Sequence, residues 1–214
     1  MLIVFCGIDG SGKSSHSRAV REWLAKKGFK VYVDHFYRYL LITPLSILKY
    51  KLGIAKKIYW GGEHVFGEEF KRHIKKSPLA RLRPLLAYFD NILYFMLRAL
   101  PKLLTKHVVI FDRYFYDHLF KYKALGYDVT LAEKLYLKLV PKPRLIVVFD
   151  VPAEIAYERK KHEHPLWHFK ALRNFYLEFA RRNKLVILDT RAPFGEIQEK
   201  LEKIIARVLA LPST

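Results

Sequence analysis

Cysteine, acidic residues and thermolabile side chains are all scarce in this 214-residue chain. The single cysteine, Cys6, excludes an internal disulfide and reads as a buried structural thiol in a reducing compartment. Acids number 20 against 39 Lys and Arg, leaving a formal charge of +19. Such a field draws anions: nucleotides, nucleic acid or acidic lipid. A solvated basic surface is the simpler reading, and contact with nucleic acid or membrane the alternative. One Gln, three Asn and two Met match the composition of proteins built for high temperature. No secretory leader is expected, because the first apolar run stops at Cys6 with no basic segment before it. A cytoplasmic protein is therefore expected. No Cys/His spacing suits zinc. The most apolar long segment, Leu85–Leu104, carries Asp90, Asn91, Arg98, Pro101 and Lys102, so it reads as a buried core or acceptor-pocket helix rather than a membrane span.

What is present is a hydrophobic half and a rich set of aromatics, 51% and 15% of the residues, enough for a large core. Short apolar runs mark strands at Leu2–Cys6, Lys30–Asp34, His107–Phe111, Arg144–Asp150 and Leu185–Leu188, each apolar enough to be covered on both faces. Between them lie helical patterns at Ser14–Lys27, Pro84–Leu104, Thr130–Leu139, Pro152–His162 and Phe194 to about Leu211. This alternation predicts an α/β fold, a three-layer α/β/α sandwich around a five-stranded, mostly parallel sheet. A single domain over residues 1–214 is expected. Residues 36–75 fall outside the pattern. Their basic and aromatic start, Phe36–Trp60, reads as an irregular insert, an acceptor-side lid or an amphipathic membrane-surface helix.

The chemistry begins at Gly7-Ile8-Asp9-Gly10-Ser11-Gly12-Lys13-Ser14-Ser15, between the first strand and the first helix. In that setting the glycines let successive backbone N–H groups face phosphate oxygens at a helix N-terminus. Lys13 supplies a charge for the β/γ-phosphates, and Ser14 a hydroxyl for Mg²⁺. ATP is the expected nucleotide. A second element, Phe111-Asp112-Arg113-Tyr114, ends an apolar strand about a hundred residues later. Asp112 is placed to hold Mg²⁺ and Arg113 to fork a transferring or accepting phosphate. The alternative for these two residues is a local salt bridge at a strand end.

Together with Val151-Pro152-Ala153-Glu154-Ile155-Ala156-Tyr157-Glu158-Arg159 and Val186-Ile187-Leu188-Asp189-Thr190, these motifs resemble the thymidylate kinase family of P-loop nucleoside monophosphate kinases, in order and spacing. The resemblance implies ATP–Mg²⁺ as donor, a nucleoside monophosphate as acceptor and a homodimer. It implies catalytic roles for Lys13 and Arg113, with Asp9 reaching toward the acceptor and Asp189–Pro193 near the adenine. Some members carry an arginine where this chain has Gly10. Here the resemblance implies that a lid over residues 158–170 supplies the cations, chiefly Arg159 and Lys160. On the acceptor side the likeness fades. Arg38 is a candidate for the acceptor phosphate. The family's base-stacking Phe and base-reading Arg fall on Ala87 and Asn91, with Tyr88 or Phe89 as a substitute stacker or, more simply, a core ring, and the family's Ser or Asn and later Gln fall on His118 and Tyr122. Asn91, Tyr114 and His118 are the remaining candidates for binding the acceptor. His16 is expected on a helix surface.

Overall fold

The computed structural model describes residues 1–36, 82–124, 127–160 and 164–211, with Leu40, Leu41, Pro44, Leu48, Lys51 and Leu52 between them. Arg38 and nearly all of the 36–75 segment lie outside the described residues, as do 161–163 of the expected lid.

Five strands form one sheet: β1 (Leu2–Cys6), β2 (Val31–His35), β3 (Val108–Asp112), β4 (Leu145–Asp150) and β5 (Val186–Asp189). Their order is β2-β3-β1-β4-β5 and every neighbouring pair is parallel. Parallel strands need crossovers, and helices supply them: α1 (Lys13–Lys26), α2 (Arg83–Tyr94), α3 (Leu100–Leu104), α4 (Phe115–Ala124), α5 (Thr130–Leu139), α6 (Ala153–Lys160) and α7 (Leu166–Arg182), while α8 (Phe194–Leu209) follows the last strand. The expected sandwich is the fold observed. The three central strands are buried almost throughout. The edge strands are not, because each has one neighbour: β2 is half-exposed and β5 alternates.

The alternation of strand side chains divides the core in two. Ile3, Phe5, Ile110, Val147 and Phe149 pack on α1 and α8 through Val20, Leu24, Ile197, Leu201 and Ile205. Leu2, Val4, Cys6, Val109, Phe111 and Val148 face the larger cluster, built with α2, α4, α6 and α7. Phe36 belongs to that cluster and not to an insert. It is 1% exposed, and its ring meets Tyr94, Phe111, Tyr114 and Phe115 at 4.7–5.4 Å.

Between α2 and α3 the helix widens into a π turn, Phe95–Ala99. Pro101, with no N–H to give the preceding turn and a ring that crowds it, accounts for the irregularity. The helix is not buried as expected. Leu86, Phe89, Leu93, Met96 and Leu97 are 36–62% exposed, and their spacing puts them on one stripe. Ala87, Tyr88, Asp90, Asn91, Tyr94 and Phe95 are buried on the opposite side. No helix among the described residues is long and apolar enough to cross a membrane.

Candidate active site

The carboxyl ends of β1 and β3 lie side by side, with Phe5 paired to Asp112. The loop leaving β1 therefore opens beside the residues that end β3. In a parallel sheet flanked on both sides by helices, this edge is where ligands bind.

Local geometry requires the loop glycines. Gly7 has φ +138°, and a Cβ there would stand 2.5 Å from the Phe149 carbonyl oxygen. Gly10 has φ +82°, and a Cβ would lie 3.0 Å from the Ala156 carbonyl oxygen and 3.4 Å from Lys160 Cγ. A side chain at position 10 thus collides with α6, the helix expected to carry the closing cations. The glycine and the approach of α6 are one packing fact. Across that contact Arg159 Nη1 donates to the Gly10 carbonyl at 2.8 Å.

Lys13 is 5% exposed. Its Nζ donates to the Ile8 carbonyl at 2.7 Å and to Ser11 Oγ at 3.2 Å, so the ammonium is folded onto its own loop. Burial, and then the Arg113 charge, lowers its pKa against the pull of Asp112 and Asp9. Ser15 and His16 continue the helix, their N–H groups bonding the Gly12 carbonyl. Ser14 Oγ donates to Asp112 Oδ2. Asp112 is 4% exposed and its Oδ1 is buried with no hydrogen-bond partner. Burial would raise this carboxyl, but the bond to His35, the Lys13 charge and the Ser14 hydroxyl hold it below its ordinary value. A buried carboxylate with a free lone-pair face beside a hydroxyl fits a hard divalent cation with oxygen ligands. When bound there, Mg²⁺ would neutralise charge on the β- and γ-phosphates.

Arg113 is 8% exposed and sits at φ 74°, a left-handed conformation costing about 1–3 kcal/mol for a non-glycine residue. Its N–H donates to the Phe5 carbonyl at 2.9 Å, which ties this turn to β1. Its Nη2 pairs with Asp9 Oδ1 and its Nη1 lies 3.9 Å from Asp117 Oδ1. Burial opposes ionisation of Asp9, yet Arg113 and then Lys13 bring its carboxyl well below the usual range.

Lys13, Ser14, Asp9, Asp112 and Arg113 are thus gathered at one mouth, joined by Arg159 over Gly10. The local-salt-bridge alternative also fails in detail: Arg113 turns from Asp112 to Asp9. The other expected residues stand elsewhere. Tyr114 is fully buried and donates its hydroxyl to the Pro141 carbonyl at 2.7 Å. His118 is enclosed, with Nε2 2.9 Å from the Phe36 carbonyl, and burial drives its pKa down to about 3. Both serve the core. Tyr122 and Tyr88 are core rings, while Phe89 is 62% exposed on the outer stripe. Asn91 is 1% exposed, and neither its Nδ2 nor its Oδ1 has a partner. Asp189 is exposed and paired with Arg191. The expected lid runs into α7, which Leu166 opens and whose inner face buries Phe169 at 1% exposure.

His16 is not on a surface. It is 2% exposed, holds Gln198 Oε1 at 2.8 Å and stacks on Phe194 at 4.3 Å. Its partners come from α8, about 180 residues away, with no trace in the local pattern. Asp117 was equally missed: Arg113 precedes α4 in a left-handed conformation, so the 3.9 Å approach of the two side chains comes from the turn and not from a helix face that the sequence pattern could show.

The thymidylate kinase family model matches residues 62–201. A probable thymidylate kinase of Archaeoglobus fulgidus is 30% identical over 99% of this chain and 97% of its own length. The chain belongs to the thymidylate kinase family. A probable thymidylate kinase of Metallosphaera sedula is 35% identical over 92% of this chain and 87% of its own, and one of Sulfurisphaera tokodaii 25% identical over 97% and 96%. Membership in this family makes the chain a P-loop phosphotransferase of the nucleoside monophosphate kinase type.

Proposed function

We propose that the protein transfers the γ-phosphoryl group of ATP to a nucleoside 5′-monophosphate, with dTMP as its acceptor. The observation that carries this reading is the meeting of Lys13 and Arg113, two buried cations from loops a hundred residues apart, beside the Ser14–Asp112 pair. Phosphoryl transfer spreads charge over equatorial oxygens, and buried cations in a dry site stabilise it strongly. A phosphate acceptor is already anionic, so positioning suffices and no general base is needed. Gly7 to Ser15 cradle the ATP phosphates, and Ser14 and Asp112 hold Mg²⁺. Asp9 and Arg113 meet the acceptor, and Arg159 with Lys160 closes the site. The chain around Asp189 contacts the adenine by its backbone. Arg38 remains assigned to the acceptor phosphate.

Asn91 supports the choice of base. Its buried carboxamide has a donor and an acceptor unspent, the complement of the O4 and N3–H edge of thymine. A site that buries such groups discriminates by leaving them unpaired with the wrong ligand.

A second copy is the partner that fits the outer stripe of α2. Leu86, Phe89, Leu93, Met96 and Leu97 together make a continuous apolar face of the kind that isologous dimers bury. The reducing compartment suited to Cys6 is the cytoplasm.

The test is a panel of nucleoside monophosphates assayed with ATP and Mg²⁺. Turnover of dTMP well above other acceptors is expected, and Lys13→Ala should lower it at least about 100-fold. Faster turnover of a sugar or lipid head group would overturn the nucleotide assignment. Unchanged activity in Lys13→Ala would overturn the site.

A further inference from the structure

Behind Arg113 lies a carboxylate that the transfer reaction itself does not require. Asp117, on the first turn of α4, is 1% exposed. Its Oδ2 accepts the Tyr114 N–H at 2.7 Å and the Cys6 thiol at 3.4 Å. Its Oδ1 accepts the Tyr176 hydroxyl at 2.5 Å and lies 3.9 Å from Arg113 Nη1. These partners come from three places that must be in register for transfer: Cys6 just before the phosphate loop, Tyr114 just after Arg113, and Tyr176 on α7. Burial pushes the Asp117 carboxyl up, while Arg113, Tyr176 and the Tyr114 N–H draw it down. Burying a carboxylate is costly unless it is paired and hydrogen-bonded, and this one has a donor at every side.

The two carboxylates on Arg113 differ in kind. Asp117 is sealed, whereas the Asp9 side chain is 29% exposed on the open side of the guanidinium. Asp9 can therefore yield its place on Nη2 to a phosphate oxygen, while Asp117 cannot leave.

We infer that Asp117 is a positioning residue, holding the strained Arg113 turn and its guanidinium so that Nη2 faces the transferring phosphate while Asp9 exchanges with it. This inference rests on the proposed reaction for its readout, and Tyr176 and Cys6 act through Asp117. The competing role is helix capping alone, since Asp117 is the third residue of α4 and reaches back to the N–H before it.

A double-mutant cycle separates the two. Asp117→Asn keeps the shape and the acceptor oxygen for one partner but removes the charge. Its kcat should fall about 10- to 100-fold with the KM for ATP changed less than about 3-fold, a cost of about 1.4 kcal/mol per tenfold. In an Arg113→Ala background the same change should lower kcat less than about 2-fold. Tyr176→Phe should show the same dependence on Arg113 with a smaller loss. Equal losses in both backgrounds, or a kcat loss that only follows the unfolded fraction by circular dichroism, would overturn the inference. If no monophosphate is phosphorylated, the proposed acceptor falls, and the cycle is read on hydrolysis of ATP by water. That reaction needs no monophosphate but still moves the γ-phosphoryl group that Arg113 Nη2 faces, and equal losses there would overturn the positioning role just as directly.

Discussion

Asp9 and Arg113 face each other as a carboxylate–guanidinium pair, 104 residues apart in sequence and adjacent at the mouth of the phosphate loop. Arg113 holds the Asp9 carboxyl well below its ordinary value against the effect of burial. A carboxyl whose folded pKa is depressed adds stability that is present above its unfolded pKa, near 4, and is lost as pH falls through the folded value. Asp9→Asn should therefore lower Tm by several degrees at pH 7, and that gap should narrow below about pH 4. Thermal melts of both proteins at pH 7 and pH 2.5 check this; a gap of constant size would contradict the pairing.

The free Oδ1 of buried Asp112 predicts a metal requirement. Asp112→Asn and Ser14→Ala should each raise the Mg²⁺ concentration for half-maximal rate about 10-fold or more, because a hard cation loses a charged or hydroxyl ligand. Titration of activity against Mg²⁺ measures it. Asp112→Asn should also lower kcat more than Ser14→Ala does, since it removes charge as well as an oxygen.

Gly10 can take no side chain without moving α6. Gly10→Ala combines a positive φ with a Cβ 3.0 Å from the Ala156 carbonyl oxygen, a cost of about 1–2 kcal/mol from the backbone alone. Tm should fall by about 2–8 °C, and kcat should fall with it because Arg159 loses its seat on the Gly10 carbonyl. An active, fully stable variant would show that α6 moves freely over the loop.

His118 is buried neutral, with its pKa lowered to about 3, and His168 is lowered to about 3 likewise. An unfolded chain takes up these protons near pH 6.5, so folding loses stability as pH drops from there toward 3. Each group can cost up to about 1.4 kcal/mol per pH unit in that window. Urea midpoints at pH 7.5 and 5.5 should differ, with the lower pH less stable. His118→Gln should flatten the difference even if it is less stable at pH 7.5.

The apolar stripe of α2 predicts an oligomer that charge can break. Leu93→Glu should convert a dimer to a monomer in light scattering while leaving nucleotide binding intact. A wild-type monomer would leave the stripe without a second copy and overturn that assignment.

The five strands, the phosphate loop and the Asp112–Arg113 pair were legible because each is a local pattern. A strand covered on both faces is a run of apolar residues, and a phosphate cradle is glycines at set spacing between strand and helix. α4 and α7 were not read, since their apolar positions are crowded with aromatics and cations that blur the helical period. The role of His16 was misread for a different reason. Its neighbours Gln198 and Phe194 lie at the far end of the chain. The acceptor side was the least legible, because the polar residues there divide between core bonds and open ones. Tyr114 and His118 bond carbonyls of Pro141 and Phe36, whereas the Asn91 carboxamide has no partner.

By itself the sequence determined that this chain builds a parallel α/β sandwich and brings a loop for nucleotide phosphates, because those properties are carried by residues close together. Tertiary structure alone decided which charges meet. It set Asp9 and Asp117 on opposite sides of Arg113, laid α6 over Gly10 and left one face of α2 open. Each is a contact across many residues, fixed by how strands align and helices pack on them.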